Sequence, residues 1–151
     1  MLQLAVAAKN QQKLDNFSSG LKSAGLLANE DVEICIASNC PGVVTGLDVK
    51  SLLPMPKESS IFQLWAAALQ KGNTQYVALM DAGCPPAAGW WDRARTAIES
   101  GERIFFGSVI PGLPEGDRQL AGYIIEYAQF NEPLHAPSNE YPGNNIVFPW
   151  Q

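Results

Sequence analysis

The segment Tyr76-Val-Ala-Leu-Met-Asp81-Ala-Gly83-Cys-Pro-Pro86 does most to restrict what this chain can fold into. An unbroken apolar run, as in a strand buried on both faces, ends on a single carboxylate. Glycine, cysteine and two prolines follow at once, and neither a strand nor a helix continues easily through them. An acid at the C-terminal tip of a core strand lies where open α/β sheets bind ligands. The competing role for Asp81 is to open a turn or cap the next helix.

The same alternation runs along the rest of the sequence. Residues 2–8 read as a first buried strand, broken by Lys9-Asn10-Gln11-Gln12. Leu14, Phe17, Leu21 and Ala24 then recur at helical spacing over 11–24, with Lys13, Asp15 and Lys22 on the polar side and Gly25 at the end. Val32-Glu-Ile-Cys-Ile-Ala37 is a second strand, stopped by Ser38-Asn39-Cys40-Pro41-Gly42, and 49–53 is a shorter third, closed by Pro54 and Pro56. Ser59 or Ser60 caps a helix reaching about Lys71, with Ile61, Leu64, Trp65, Ala68 and Leu69 facing inward. Residues 76–80 form the fourth strand, 90–100 a helix and 103–110 a fifth strand. A helix over 117–130 carries Leu120, Ile124, Tyr127 and Ala128 at core spacing, and a Pro/Asn-rich stretch leads to an apolar run at 146–148.

Strands alternating with helices predict the α/β class: one domain over residues 1–151, with a parallel or mostly parallel sheet flanked by helices. Right-handed crossovers bring the tips of the first, second and fourth strands to one edge. Asn10, Ser38, Asn39 and Asp81 stand at those tips.

With 151 residues, 46% hydrophobic and 17% charged, the chain can bury a real core. Its net charge of -5 comes without any Lys/Arg cluster, so no nucleic-acid partner is expected, and a bound phosphate would need a local site. Cys35, Cys40 and Cys84 make an odd count without metal-type spacing. A metal shared by Cys40, Cys84 and His135 is disfavoured, and a thiol-reducing compartment is the simpler reading. Residues 2–8 lack the pattern of a secretory leader, and no apolar run approaches the roughly 18 residues of a membrane span. A cytoplasmic chain without a transmembrane segment is the expectation.

The phosphate-loop, dinucleotide and nucleophile-elbow motifs are all absent. The only histidine, His135, lies in a Pro-rich loop and reads as a solvated residue, which leaves hydrolytic triads without a good base. Asp92 suits a helix N-terminus, and Glu126 a solvated helix face. Of the adjacent Trp90 and Trp91, one is expected in the core and the other is free to stack on a sugar or base. Asn144 and Asn145 follow Pro142-Gly143, which suits a turn that also presents amides to a polyhydroxylated ligand.

Taken in order, these pieces resemble the GT-A glycosyltransferases of the large family 2 type, which transfer a sugar from a nucleoside-diphosphate donor. Tyr76-Val-Ala-Leu-Met-Asp81-Ala-Gly83-Cys-Pro-Pro-Ala-Ala-Gly-Trp90 is similar to that family's strand, its D-x-D motif, and the Pro and Trp opening its next helix. Phe106-Gly107-Ser108-Val109 resembles the following strand, and Ile124-Ile-Glu126-Tyr127 with Phe130 the helix beyond it. Tyr141-Pro-Gly-Asn144-Asn145-Ile-Val-Phe148 looks like the family's P-G-x-N strand near the acceptor. The likeness spans residues 2–150 and implies a GT-A-like, Rossmann-like fold.

That resemblance also implies roles. Asp81 would hold a divalent metal (Mn or Mg) and the donor diphosphate, the metal neutralising charge on the leaving group. Asn10 would lie beside the nucleotide, Ser38 and Asn39 would face its base, and Gly83 would border the donor. Trp90, Gly143, Asn144 and Asn145 would line the acceptor side. The implied partners are a nucleotide-sugar, a sugar or lipid-linked acceptor, and a second copy in a homo-oligomer. The departures carry equal weight. Gly83 stands where the second D-x-D acid belongs, Ser38 where an acid reads the base, and Trp65 where a small polar residue is common. The family's acidic catalytic base lies in a segment beyond its counterpart of Phe148, and no residue here takes that role. A non-catalytic GT-A-like module binding a nucleotide, a sugar or a protein is therefore the alternative, and an unrelated α/β protein whose Asp81 merely makes a turn is the third. Residues 146–148 are further expected to leave a strand edge uncovered, which would pair with another chain or pack under the 131–141 loop.

Overall fold

The computed structural model describes residues 1–40, 47, 52–110, 117–127 and 144–150. All seven residues of β1 (Leu2–Ala8) are buried, which makes it a central strand. It pairs in parallel with β2 (Val32–Ser38) on one side and β4 (Tyr76–Asp81) on the other. β3 (Leu52–Pro54) extends the sheet beyond β2, again in parallel.

The far side departs from expectation. The sheet order is β3-β2-β1-β4-β6-β5, and β6 (Ile146–Pro149) runs antiparallel to both β4 and β5 (Phe105–Phe106). The sheet is therefore mixed rather than mostly parallel. An apolar run such as Ile146-Val-Phe148 reads identically in either direction, so its polarity was not encoded in the pattern. Nor is β6 an uncovered edge: it lies between β4 and β5, and Phe148 and Trp150 pack edge to face, 6.3 Å apart, against one of the cores.

Helices cover both faces. Leu14, Phe17 and Leu21 of α1 (Gln11–Ser23), with Trp90 and Ala94 of α3 (Trp90–Glu99), join Leu2, Leu4 and Val6 in one core. Leu64 and Ala68 of α2 (Ile61–Lys71) meet Ala5, Ala7, Cys35 and Val77 in the other. The alternation of β1 thus presents larger side chains to α1 and α3 and alanines to α2. Ser60 caps α2 with a full capping box through Gln63, which fixes where the expected helix begins.

Two expectations shrink or fail. Of the strand expected over 103–110, only Phe105–Phe106 is paired. On α4 (Asp117–Glu126), Leu120 and Ile124 are 39% and 56% exposed, so they are not core. Helical spacing defines an apolar face, but says nothing about whether another element covers it. Residues 49–51 of the third strand, 128–130 of the last helix, and His135 lie outside the described residues.

Burial decides the chemistry of Cys35. Its thiol is 2% exposed and is pushed up from 9.0 to about 11, first by burial and then by the nearby Glu33 charge. A thiol that stays protonated when folded but ionises near 9.0 when unfolded leaves stability unaffected at low pH and removes it as pH climbs from 9 toward 11. Denaturant titrations at pH 8 and 10.5 should show the wild type losing about 2 kcal/mol more than Cys35→Ala over that interval. Equal losses would place the thiol in a more polar setting.

Candidate functional site

The chain steps outward from β1 to β2 to β3, then crosses back to β4 on the opposite side of β1. The tips of β1 and β4 are therefore the topological switch point, where the crossovers diverge and a crevice opens beyond the strand ends. Asp81 is the last residue of β4, in register with Ala7, and the amide of Ala82 donates to the Ala7 carbonyl at 3.0 Å.

Three contacts fix the half-buried Asp81. Its amide donates to Asn144 Oδ1 at 2.8 Å, its own Oδ1 accepts from the Gly83 amide at 2.7 Å, and its carbonyl accepts from the Cys84 amide at 2.9 Å. The turn role and the strand-tip position thus coincide in one residue. Asn144 is 2% exposed, and its side chain neighbours the Cys84 thiol. The Cys84 thiol is pushed up, mainly by burial and also by the Asp81 charge, against the lowering influence of Asn144 and Lys13. It is a neutral thiol at pH 7, and a poor nucleophile.

Beside this turn lies a cavity of about 330 Å³ between the β4 tip, the start of α3 and the strand end at Gly107. Pro85, Pro86, Trp90 and Ile110 give it apolar walls, and Arg93, Ser108 and Asn145 supply polar groups. Trp90 is 8% exposed, and its Nε1 donates to Asn145 Oδ1 at 2.8 Å. Trp90 is thus the core member of the tryptophan pair, showing the cavity only a small part of its ring; Trp91 is partly buried against the same core. Asn145 adopts a left-handed φ of 59°, which asparagine tolerates better than most residues.

Asn10, Ser38, Asn39, Asp81 and Gly83 do share one edge of the sheet. Several have structural partners as well. Asn10 caps α1, accepting from the Lys13 amide at 3.1 Å. Ser38 is 2% exposed and its Oγ accepts from the Cys40 amide at 3.0 Å. Asn39 Nδ2 donates to the Lys57 carbonyl at 2.8 Å, tying down the segment before α2. Asn144 and Asn145 join the β4 and α3 side; Gly143 lies outside the described residues.

The sequence reading missed two cations. Arg93 lines the cavity, and the Lys13 ammonium folds over Gly83: a Cβ built on that glycine would stand 3.1 Å from Lys13 Nζ and 2.7 Å from Asp81 Oδ1. No spacing pattern links residue 13 to residue 83; only the pairing of β1 with β4 brings them together.

These residues do not fit a divalent metal. Asp81 has one oxygen engaged by the Gly83 amide, and the space a second carboxylate would enter is bordered by an ammonium. Among the described residues, no group of three or more His, Cys, Asp or Glu converges. Hard divalent cations need several oxygen ligands, and a neighbouring ammonium repels them.

A scan against protein-family models, a search of curated proteins and a search of solved structures each return no match. Among the described residues, no helix is long and apolar enough to cross a membrane.

Proposed function

We propose that this chain is a GT-A-like module that binds a nucleoside-diphosphate sugar at the tips of β1 and β4, for glycosyl transfer to an acceptor hydroxyl. The observation that carries this reading is Asp81 at the switch point, directly beside a cavity of about 330 Å³. That volume lies within the range of small-molecule sites. The diphosphate lies at the Asp81–Gly83 turn, the nucleoside extends toward Asn10, Ser38 and Asn39, and the sugar enters the cavity. There Asn145 and Ser108 offer hydrogen bonds and Arg93 a charge-assisted one.

A second reading, binding without transfer, is favoured by one observation: among the described residues, no Asp or Glu lines the cavity to act as a carboxylate base there. Calorimetric titration with a panel of UDP- and GDP-sugars separates the possibilities. Saturable binding of one donor, competed by the free nucleoside diphosphate, is expected. Release of nucleoside diphosphate only when an acceptor sugar is added assigns transfer, and binding without release assigns the second reading. Failure of every donor to bind overturns both.

A further inference from the structure

The mismatch between the expected metal site and the residues that occupy it points to a different source of positive charge. Gly83 sits where any Cβ would come within 2.7 Å of Asp81 Oδ1 and 3.1 Å of the Lys13 ammonium, so a side chain there would displace one of these two groups. Lys13 is exposed on the first turn of α1, yet its side chain lies back over the β4 turn. Among the described residues, it forms no salt bridge with Asp81 or any other acid. Among the described residues, Arg93 is the one charged residue lining the cavity that Gly83 borders, in a chain whose net charge is -5. Lys13 over Gly83 and Arg93 in the cavity that Gly83 borders offer two positive charges against the single carboxylate of Asp81, a local balance that favours an anionic ligand.

We propose that Lys13 takes the place of a divalent metal at the β4 tip, so that the site binds a diphosphate group without any metal ion. Gly83 is integral to this arrangement. A second carboxylate there, added to that of Asp81, would pair with Lys13 and cancel its charge, whereas glycine adds none and leaves the ammonium to meet a phosphate oxygen, as a lysine point charge does in many phosphate sites. Arg93 then reaches the far end of the ligand, in the cavity. The ligand class rests on the donor-binding reading above, whereas the metal independence rests on Lys13 and Gly83 alone.

The test is calorimetry of the full chain in EDTA, with two probes: inorganic pyrophosphate and the best-binding nucleotide-sugar. Both should bind with affinity unchanged by EDTA or by added Mn²⁺. Lys13→Ala should weaken both by about 10- to 100-fold, and Lys13→Arg should retain most of the affinity. Because Lys13 is exposed, the thermal midpoint of each variant should match the wild type, which excludes unfolding as the cause. Binding that requires Mn²⁺ in the wild type overturns this inference and leaves the donor reading intact. Pyrophosphate binding through Lys13 with no nucleotide-sugar bound upholds the inference and removes the donor reading. Unaltered affinity in Lys13→Ala, or no binding of either probe, overturns the inference.

Discussion

Gly20→Ala will destabilise the protein by about 2 kcal/mol, although the same change in an open helix is stabilising by about 1 kcal/mol. Gly20 lies in α1, and a Cβ placed there would overlap the ring of Pro85. That ring has no flexible end to swing aside, and its neighbour Pro86 is buried. The close approach holds the Gly83–Pro86 turn against α1, and therefore holds Lys13 over Gly83. Gly122→Ala in α4 is the matched control, because none of the described residues lies within 4 Å of a Cβ there. It should leave stability unchanged or slightly raised. Denaturant midpoints of the two variants check the contrast, and a stable Gly20→Ala protein would show that the turn can move away from α1.

Trp90→Ala is the second large effect, with an expected loss of about 3–5 kcal/mol. The indole is 8% exposed, packs in the core shared by α1 and α3, and donates to Asn145 Oδ1 at 2.8 Å. Its removal takes out a core ring, a hydrogen bond and one wall of the cavity together. Trp90→Phe keeps most of the ring and removes only the donor, so it should cost about 1–2 kcal/mol. Chemical denaturation of both variants measures the split. A loss below about 1 kcal/mol for the alanine variant would mean that the indole is far less buried than described.

Those effects show where the sequence was legible and where it was not. β1, β2 and β4 were visible as apolar runs with clear stops, and α1, α2 and α3 as helical spacing with caps, because local pattern dictates them. Asp81 at a strand tip followed from the same logic. The failures are all questions of tertiary placement. The direction of β6 and its insertion between β4 and β5 leave no mark in three apolar residues. Asn144 reaches Asp81 across 63 positions of sequence, so a residue that looked like a turn asparagine serves as a buried anchor. Leu120 and Ile124 had the spacing of a core face but lie exposed. Lys13 read as one charge on a solvated face, and its approach to Gly83 depends on the β1–β4 pairing that brings α1 over the turn.

On the proposed reading, the tips of β1 and β4 form the anion-binding donor site. The donor titration, followed amide by amide with ¹⁵N-labelled protein and UDP or GDP in EDTA, tests it most directly. The amide signals of Lys13, Gly83 and Cys84 should shift together and saturate with the nucleotide. Saturable binding that leaves those signals in place while others move, or no binding by either nucleotide, would contradict it.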